Sequence, residues 1–152
     1  MAAVIGAPAP DFTLRNYDRT EISLADLRGK KTLLVFIPLP FTRTCTLELG
    51  DLQDNLASLE AADANVVALT CDTPGSNGAW ATAEGVTYPI LSDFWPHGAV
   101  AQAYGCFNEA IGVANRTTYV LDAEGIVTDI IESESFGSAR PVSSYTEALA
   151  AD

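Results

Sequence analysis

The residue whose chemistry asks for explanation first is Cys45. It ends the stretch "PLPFTRTC", residues 38–45, which leaves the apolar run "TLLVFI" and leads into "TLELGDLQDNLASLE". A thiol attacks an electrophile only as thiolate. The first turn of a helix favours that form, because unpaired N–H groups and the helix dipole stabilise an anion there. Thr42 or Thr44 can cap such a helix, which sets Cys45 in or beside its first turn. Pro38 and Pro40 stiffen the loop and remove backbone donors. Arg43 is close in sequence, but its side chain is free to point to solvent. Free cysteines are also common as small core residues. On spacing alone, a packing thiol and a nucleophile fit position 45 equally.

The elements that must position this cysteine follow from hydrophobic period. "DFTLRNYDRTEISL" alternates as a small hairpin turning near Asn16–Asp18. "KTLLVFIP", 31–38, is a continuous apolar run ended by proline, as in a strand buried on both faces. Cys45, Leu49, Leu52, Leu56 and Leu59 then form one helical stripe, with Glu48, Asp51 and Asp54 off it. "NVVALTC", 65–71, is a second buried strand, and "NGAWATAEG", 77–85, a helix closed by Gly85. "YPILSD" reads as a short strand and "HGAVAQAYG" as a helix closed by Gly105. Residues 116–133 are two β runs around a turn at Ala123–Gly125, and "SSYTEALAA" is a final helix. This order predicts an α/β fold: one mixed sheet with helices on both faces. Sites in such sheets are built on loops at the carboxyl ends of parallel strands, and Cys45 lies on one.

Composition narrows the function classes. With 152 residues, 48% hydrophobic and 18% charged, the chain suits one globular domain spanning 1–152. Twenty acidic residues against eight basic, a net charge of −12, argue against nucleic acid or an anionic membrane as partner. "MAAVIGAPAPDF" lacks a basic n-region and an apolar h-region, and no apolar run approaches a membrane span. Three cysteines without a CxxC pair suggest neither a disulfide framework nor zinc, and the single His97 leaves a metal few ligands. The expected setting is the reducing cytoplasm. No cofactor or metal is implied.

"PLPFTRTC" carries the PxxxTxxC signature of peroxiredoxins, with Pro38, Thr42 and Cys45 at its spacing. "GAPAPDFTL", "GKKTLLVFIPLPFT", Glu48, "LSDFWPHGAVAQAYG" and "ANRTTYVLDAEGIV" resemble further peroxiredoxin segments in the same order, from about Gly6 to about Ile131. The resemblance is closest to the one-cysteine, alkyl hydroperoxide reductase E type, above all at "SDFWPHGAVAQAYG". It implies a thioredoxin-like fold and a thiol-dependent peroxidase of hydrogen peroxide and organic hydroperoxides, with peroxynitrite as a further oxidant. Cys45 would be the peroxidatic thiolate, oxidised to sulfenic acid, and the Thr42 hydroxyl would bond the thiolate or the peroxide. Arg116 would stabilise the thiolate and the charge developing on the leaving oxygen. Glu48 would pair with an arginine and hold its orientation. Pro38 would shield the sulfur, and the N–H groups of Thr44 and Cys45 would hold peroxide oxygens.

The same resemblance bears on partners. One two-cysteine subtype has its resolving thiol five residues after the first, where this chain has Gly50, and no cysteine follows Cys106. Cys71 reads as core, and Cys106, beside Gly105, as the better-placed intramolecular partner. Without a resolver the sulfenic acid needs an external reductant. That is either a low-molecular-weight thiol with a glutaredoxin-like protein, or thioredoxin. A homodimer, or a larger ring, is the family's default assembly. Phe36, Leu39, Phe41 and Phe94 stand open as mouth, core or interface. Trp80 and Trp95 read as packing or interface residues, and His97 as an N-terminal helix residue. A redox sensor or relay using the same Cys45 is the competing function, and turnover with a reductant separates the two.

Overall fold

The apolar run at 31–38 becomes the axis of the molecule. A computed structural model describes residues 2–151. Strand β3 (Lys31–Phe36) runs parallel to β4 (Ala64–Thr70), which runs parallel to β5 (Ile90–Ser92). On its other side β3 pairs antiparallel with β8 (Thr117–Leu121), and β8 with β9 (Val127–Glu132). The predicted N-terminal hairpin is β1 (Thr13–Arg15) and β2 (Glu21–Ser23), joined to β5 through Arg15 and Ser92. The result is a seven-stranded mixed sheet in the order β2-β1-β5-β4-β3-β8-β9.

Alternation along β3 divides the core in two. Leu33, Val35 and Ile37 face one cluster, which also takes in Cys45, Leu49 and Leu52 of α1 (Arg43–Asp54). Leu59 of α2 (Leu56–Ala61), Trp80 of α3 (Pro74–Glu84), and Tyr145 and Leu149 of α5 (Val142–Ala150) complete that face. Leu34 and Phe36 face the opposite cluster with Phe12, Leu24, Tyr119, Cys71 and Cys106. The helix covering that side is α4 (Ala99–Tyr104). Two buried faces explain why 31–38 reads as a continuous apolar run, since neither side of the strand meets water.

Four features depart from the sequence reading. The single stripe to Leu59 breaks at Asn55, whose side-chain amide donates to the Asp51 carbonyl at 2.9 Å and competes with the helical ladder. Glu48, expected off the buried stripe, is buried, for reasons that belong to the site below. A two-stranded ribbon, β6 (Phe107–Asn108) with β7 (Val113–Ala114), was not expected, because two residues are too few to show a period. Helix α3 also starts three residues early, since Thr73 caps it by accepting the Ser76 N–H and Pro74 takes its first position. Gly85 and Gly105 close their helices in left-handed conformation as expected. Among the described residues no helix is long and apolar enough to cross a membrane.

Helix α4 is held close to the β6–β7 ribbon by one glycine. Gly98 has φ +68, and a Cβ there would lie 2.2 Å from Cε1 of Phe107. Gly98→Ala therefore combines left-handed strain with overpacking, and should cost roughly 2–4 kcal/mol of stability. Urea denaturation followed by far-UV circular dichroism checks this; an unchanged midpoint would mean that the ribbon yields freely.

Candidate active site

The site forms at the carboxyl end of β3, where the chain must turn from sheet into helix. Pro38 is buried; the chain then reverses through Leu39 to Thr42, with Phe41 at φ +67. A non-glycine residue in that region is strained. It is held here by neighbours: the Phe41 ring lies 6.3 Å from that of Trp80, and the Trp80 indole N–H donates to Thr46 Oγ1 at 3.1 Å. Thr42 is the N-cap of α1, but its hydroxyl does not cap the helix. It donates instead to the Leu39 carbonyl at 2.7 Å, tightening the turn that brings the Leu39 N–H to Cys45 Sγ at 3.4 Å. Cys45 is thus the third residue of α1, fully buried, its sulfur receiving a backbone N–H from the loop before it.

One helical turn on, Glu48 joins three parts of the chain. Its Oε1 accepts from Arg116 Nη1 at 2.6 Å and from Arg140 Nη2 at 3.0 Å. Its Oε2 accepts from the backbone N–H and Nε of Arg140, both at 2.8 Å. Arg116 immediately precedes β8, whose Thr117 pairs with Phe36 at the end of β3, so register alone carries its side chain to this end of the sheet. Arg140 arrives on the segment between β9 and α5, and is anchored further by Nη1 donating to Thr118 Oγ1 at 3.1 Å. Thr118 Oγ1 in turn lies 3.0 Å from the Tyr145 hydroxyl.

Burial works against charge in this cluster, and the partners overcome it. Burial would raise the Glu48 carboxyl, but hydrogen bonds and charge from Arg140, with Arg116, hold it below the ordinary carboxylate range. Burial would also lower Arg140, yet bonding to Glu48 raises it, and the Cys45 sulfur lies within charge–charge range of the same guanidinium. Two fixed cations against one carboxylate leave the cluster with one net positive charge beside the thiol.

The six residues singled out in the sequence meet at this end of the fold. Cys45, Thr42, Thr44, Pro38, Glu48 and Arg116 all lie on the β3–α1 connection, the first turns of α1 or the start of β8. Arg43 is exposed, which removes it as a partner of the sulfur. Thr44 donates its hydroxyl to the Gly137 carbonyl at 3.1 Å. Sequence reasoning missed the Leu39 N–H and Arg140. One signal pointed to Arg140: of eight cations in the chain only Arg116 and Arg140 follow position 43, and both end on Glu48.

Cys106 lies elsewhere. It shares a cluster with Cys71 on the face of the sheet opposite Cys45, which corrects the view of it as the better-placed partner. Burial pushes both thiols up to about 12. Phe36 is core, whereas Leu39, Phe41 and Phe94 are exposed. Trp80 is fully buried packing and Trp95 is exposed. His97 precedes α4 instead of opening it, with Nε2 2.7 Å from the Gly112 carbonyl.

A thioredoxin-like α/β sheet with a thiol in the first helical turn after strand β3 defines a class, and comparison with known proteins names it. The AhpC/TSA family matches residues 5–130. Alkyl hydroperoxide reductase E of Mycobacterium tuberculosis is 48% identical over 97% of this chain and 96% of its own length. Alkyl hydroperoxide reductase C of Escherichia coli is 30% identical over 86% of this chain and 71% of its own. The crystal structure of Enterococcus faecalis AhpC superposes with a TM-score of 0.88 at 28% identity, covering 98% of this chain and 91% of that one. The chain therefore belongs to the AhpC/TSA family: it is a peroxiredoxin, a thiol peroxidase, similar to alkyl hydroperoxide reductase E.

Glu48→Gln would leave two buried guanidinium groups facing one neutral amide, and should cost about 3–5 kcal/mol of stability. The pH dependence has a definite sign. Because the folded carboxyl titrates below its unfolded value of about 4.3, its contribution is complete above that value and fades as pH falls through the lower, folded one. Urea titrations between acid and neutral pH should show this acid-labile component in the parent and not in Glu48→Gln. Equal pH slopes in the two proteins would exclude Glu48 as its source.

Proposed function

We propose that Cys45 is the peroxidatic nucleophile of this thiol peroxidase. The observation that carries the reading is the position of its sulfur, in the first turn of α1 and beside the Glu48–Arg116–Arg140 cluster. The thiolate attacks the terminal oxygen of ROOH, an S–O bond forms and the O–O bond breaks. Cysteine sulfenic acid remains, and the electron pair leaves on RO⁻, which takes a proton to become ROH. Arg116 acts on the charge that develops on the leaving oxygen, and Glu48 and Arg140 hold it in place. With its proton given to the Leu39 carbonyl, the Thr42 hydroxyl has lone pairs left to accept the O–H of the peroxide. Pro38 keeps water from the sulfur, and the N–H groups of Thr44 and Cys45 bind peroxide oxygens.

The sulfenic acid is reduced by an external thiol. Cys–SOH and R′SH give a mixed disulfide and water, and a second thiol releases Cys45 and R′SSR′. The location of Cys71 and Cys106 across the sheet supports this one-cysteine cycle. Because Cys45 is fully buried, a bulky reductant reaches it only when the Pro38–Thr42 loop or the first turn of α1 opens. Hydrogen peroxide and organic hydroperoxides are the substrates, with peroxynitrite as a further oxidant. The reductant is a low-molecular-weight thiol with a glutaredoxin-like protein, or thioredoxin. The 152 residues act as one domain in the cytoplasm, as a homodimer. Exposed Leu39, Phe41, Phe94 and Trp95, all following carboxyl ends of the parallel strands, favour pairing at that end.

Stopped-flow mixing of reduced protein with hydrogen peroxide and with an organic hydroperoxide tests the reading, with mass spectrometry to locate the added oxygen. Cys45→Ser should lose the reaction, and Arg116→Met should slow it by two orders of magnitude or more. A Cys45→Ser protein that still turns over would refute the assignment. Oxidation of Cys45 without turnover on any thiol reductant would instead favour a sensor or relay.

A further inference from the structure

We infer that Phe136 is a positioning residue for Arg116, an inference that rests on the role of Arg116 proposed above. Between β9 and α5 runs a strap, residues 133–141, with the composition "SESFGSARP". Its serines tie it to itself. Ser133 Oγ donates to the Ser135 carbonyl at 2.6 Å and also contacts the Ser138 carbonyl, and the hydroxyls of Ser135 and Ser138 lie 2.8 Å apart. The closed loop carries Phe136 next to its tip and sets it against Arg116 in two ways. The Phe136 carbonyl accepts from Arg116 Nε at 2.5 Å, and the guanidinium carbon lies 5.7 Å from the centre of the Phe136 ring.

These contacts supply what Glu48 alone cannot. The Glu48 carboxylate fixes one corner of the guanidinium, at Nη1, and leaves the plane free to rock about that bond. A second bond at Nε and an aromatic face together remove that freedom. The strap also reaches the turn that carries the nucleophile, through the Thr44 hydroxyl on the Gly137 carbonyl. One short element therefore sets the cation and the cysteine turn relative to each other. A cavity of about 220 Å³ lies beside Arg116, bordered by Phe136, Asn115, Thr117 and Glu132. With Phe136 39% exposed, the contribution of its ring comes from the face it offers Arg116 more than from core packing.

A double-mutant cycle in stopped flow, read as the rate of Cys45 oxidation by hydrogen peroxide, tests the assignment. Phe136→Leu keeps the apolar bulk and removes the π face; the rate should fall roughly two- to fivefold, the size of a partly exposed cation–π contact. Phe136→Trp, which restores a π face, should react at least as fast as the parent. In an Arg116→Met background Phe136→Leu should have no further effect, because no cation is left to position. The same loss in both backgrounds, or a Phe136→Leu protein as fast as the parent, overturns the role of Phe136 and leaves that of Arg116 intact. An Arg116→Met protein as fast as the parent overturns both.

Discussion

The carboxylate of Glu48 is the joint on which this end of the fold depends. It accepts four hydrogen bonds, one from Arg116 and three from Arg140, in a setting where its side chain is 3% exposed. Removing such a group from water costs several kcal/mol, recovered only when every lone pair is engaged and the geometry is good. The cluster meets that condition, and its value lies in geometry more than in net stability. It joins the first turns of α1 to the start of β8 and to the segment before α5, three places that nothing in local sequence brings together. Moving the carboxylate would leave Arg116 held only by Phe136 and Arg140 only by Thr118.

The sheet imposes a second constraint, on which thiols can meet. Odd positions of β3 face α1 and even positions face α4, so two cysteines on opposite faces are separated by the thickness of the sheet. Cys71 and Cys106 are buried on the opposite face, where desolvation raises both thiols and favours the protonated form. Cys45 is equally buried, but it lies at a helix start, against a backbone N–H and near fixed cations. Burial by itself does not separate a structural thiol from a functional one. The polar groups around it do.

The loop that delivers the sulfur carries backbone strain, as do the turns at Arg19 and Asp63. Phe41 takes a left-handed conformation that costs an aromatic residue about 1–2 kcal/mol. Its contact with Trp80 and the Thr42–Leu39 bond hold the turn closed. Leu39 N–H and Cys45 Sγ meet only because the chain doubles back between them. A turn kept shut by a few contacts is also one that can open.

By itself the sequence determined most of the elements and marked Cys45 as the candidate thiol. Strand β3, the helices closed by Gly85 and Gly105, the terminal hairpin and the PxxxTxxC spacing are all local patterns, set by periods of two and 3.6 and by fixed distances along the chain. The spacing marked Thr42 and Cys45 as candidates for that reason, and Arg116 followed only from the resemblance. The pairing of Arg140 with Glu48, 92 residues apart, was not legible, because an ion pair leaves no period in either segment. The burial of Glu48 was hidden by its place off the helix stripe, and is decided by cations arriving from β8 and the strap. The choice of face for Cys106 was likewise tertiary, since it depends on which side of the sheet α4 packs. Local patterns select what a residue can do, and long-range packing selects what it does it beside.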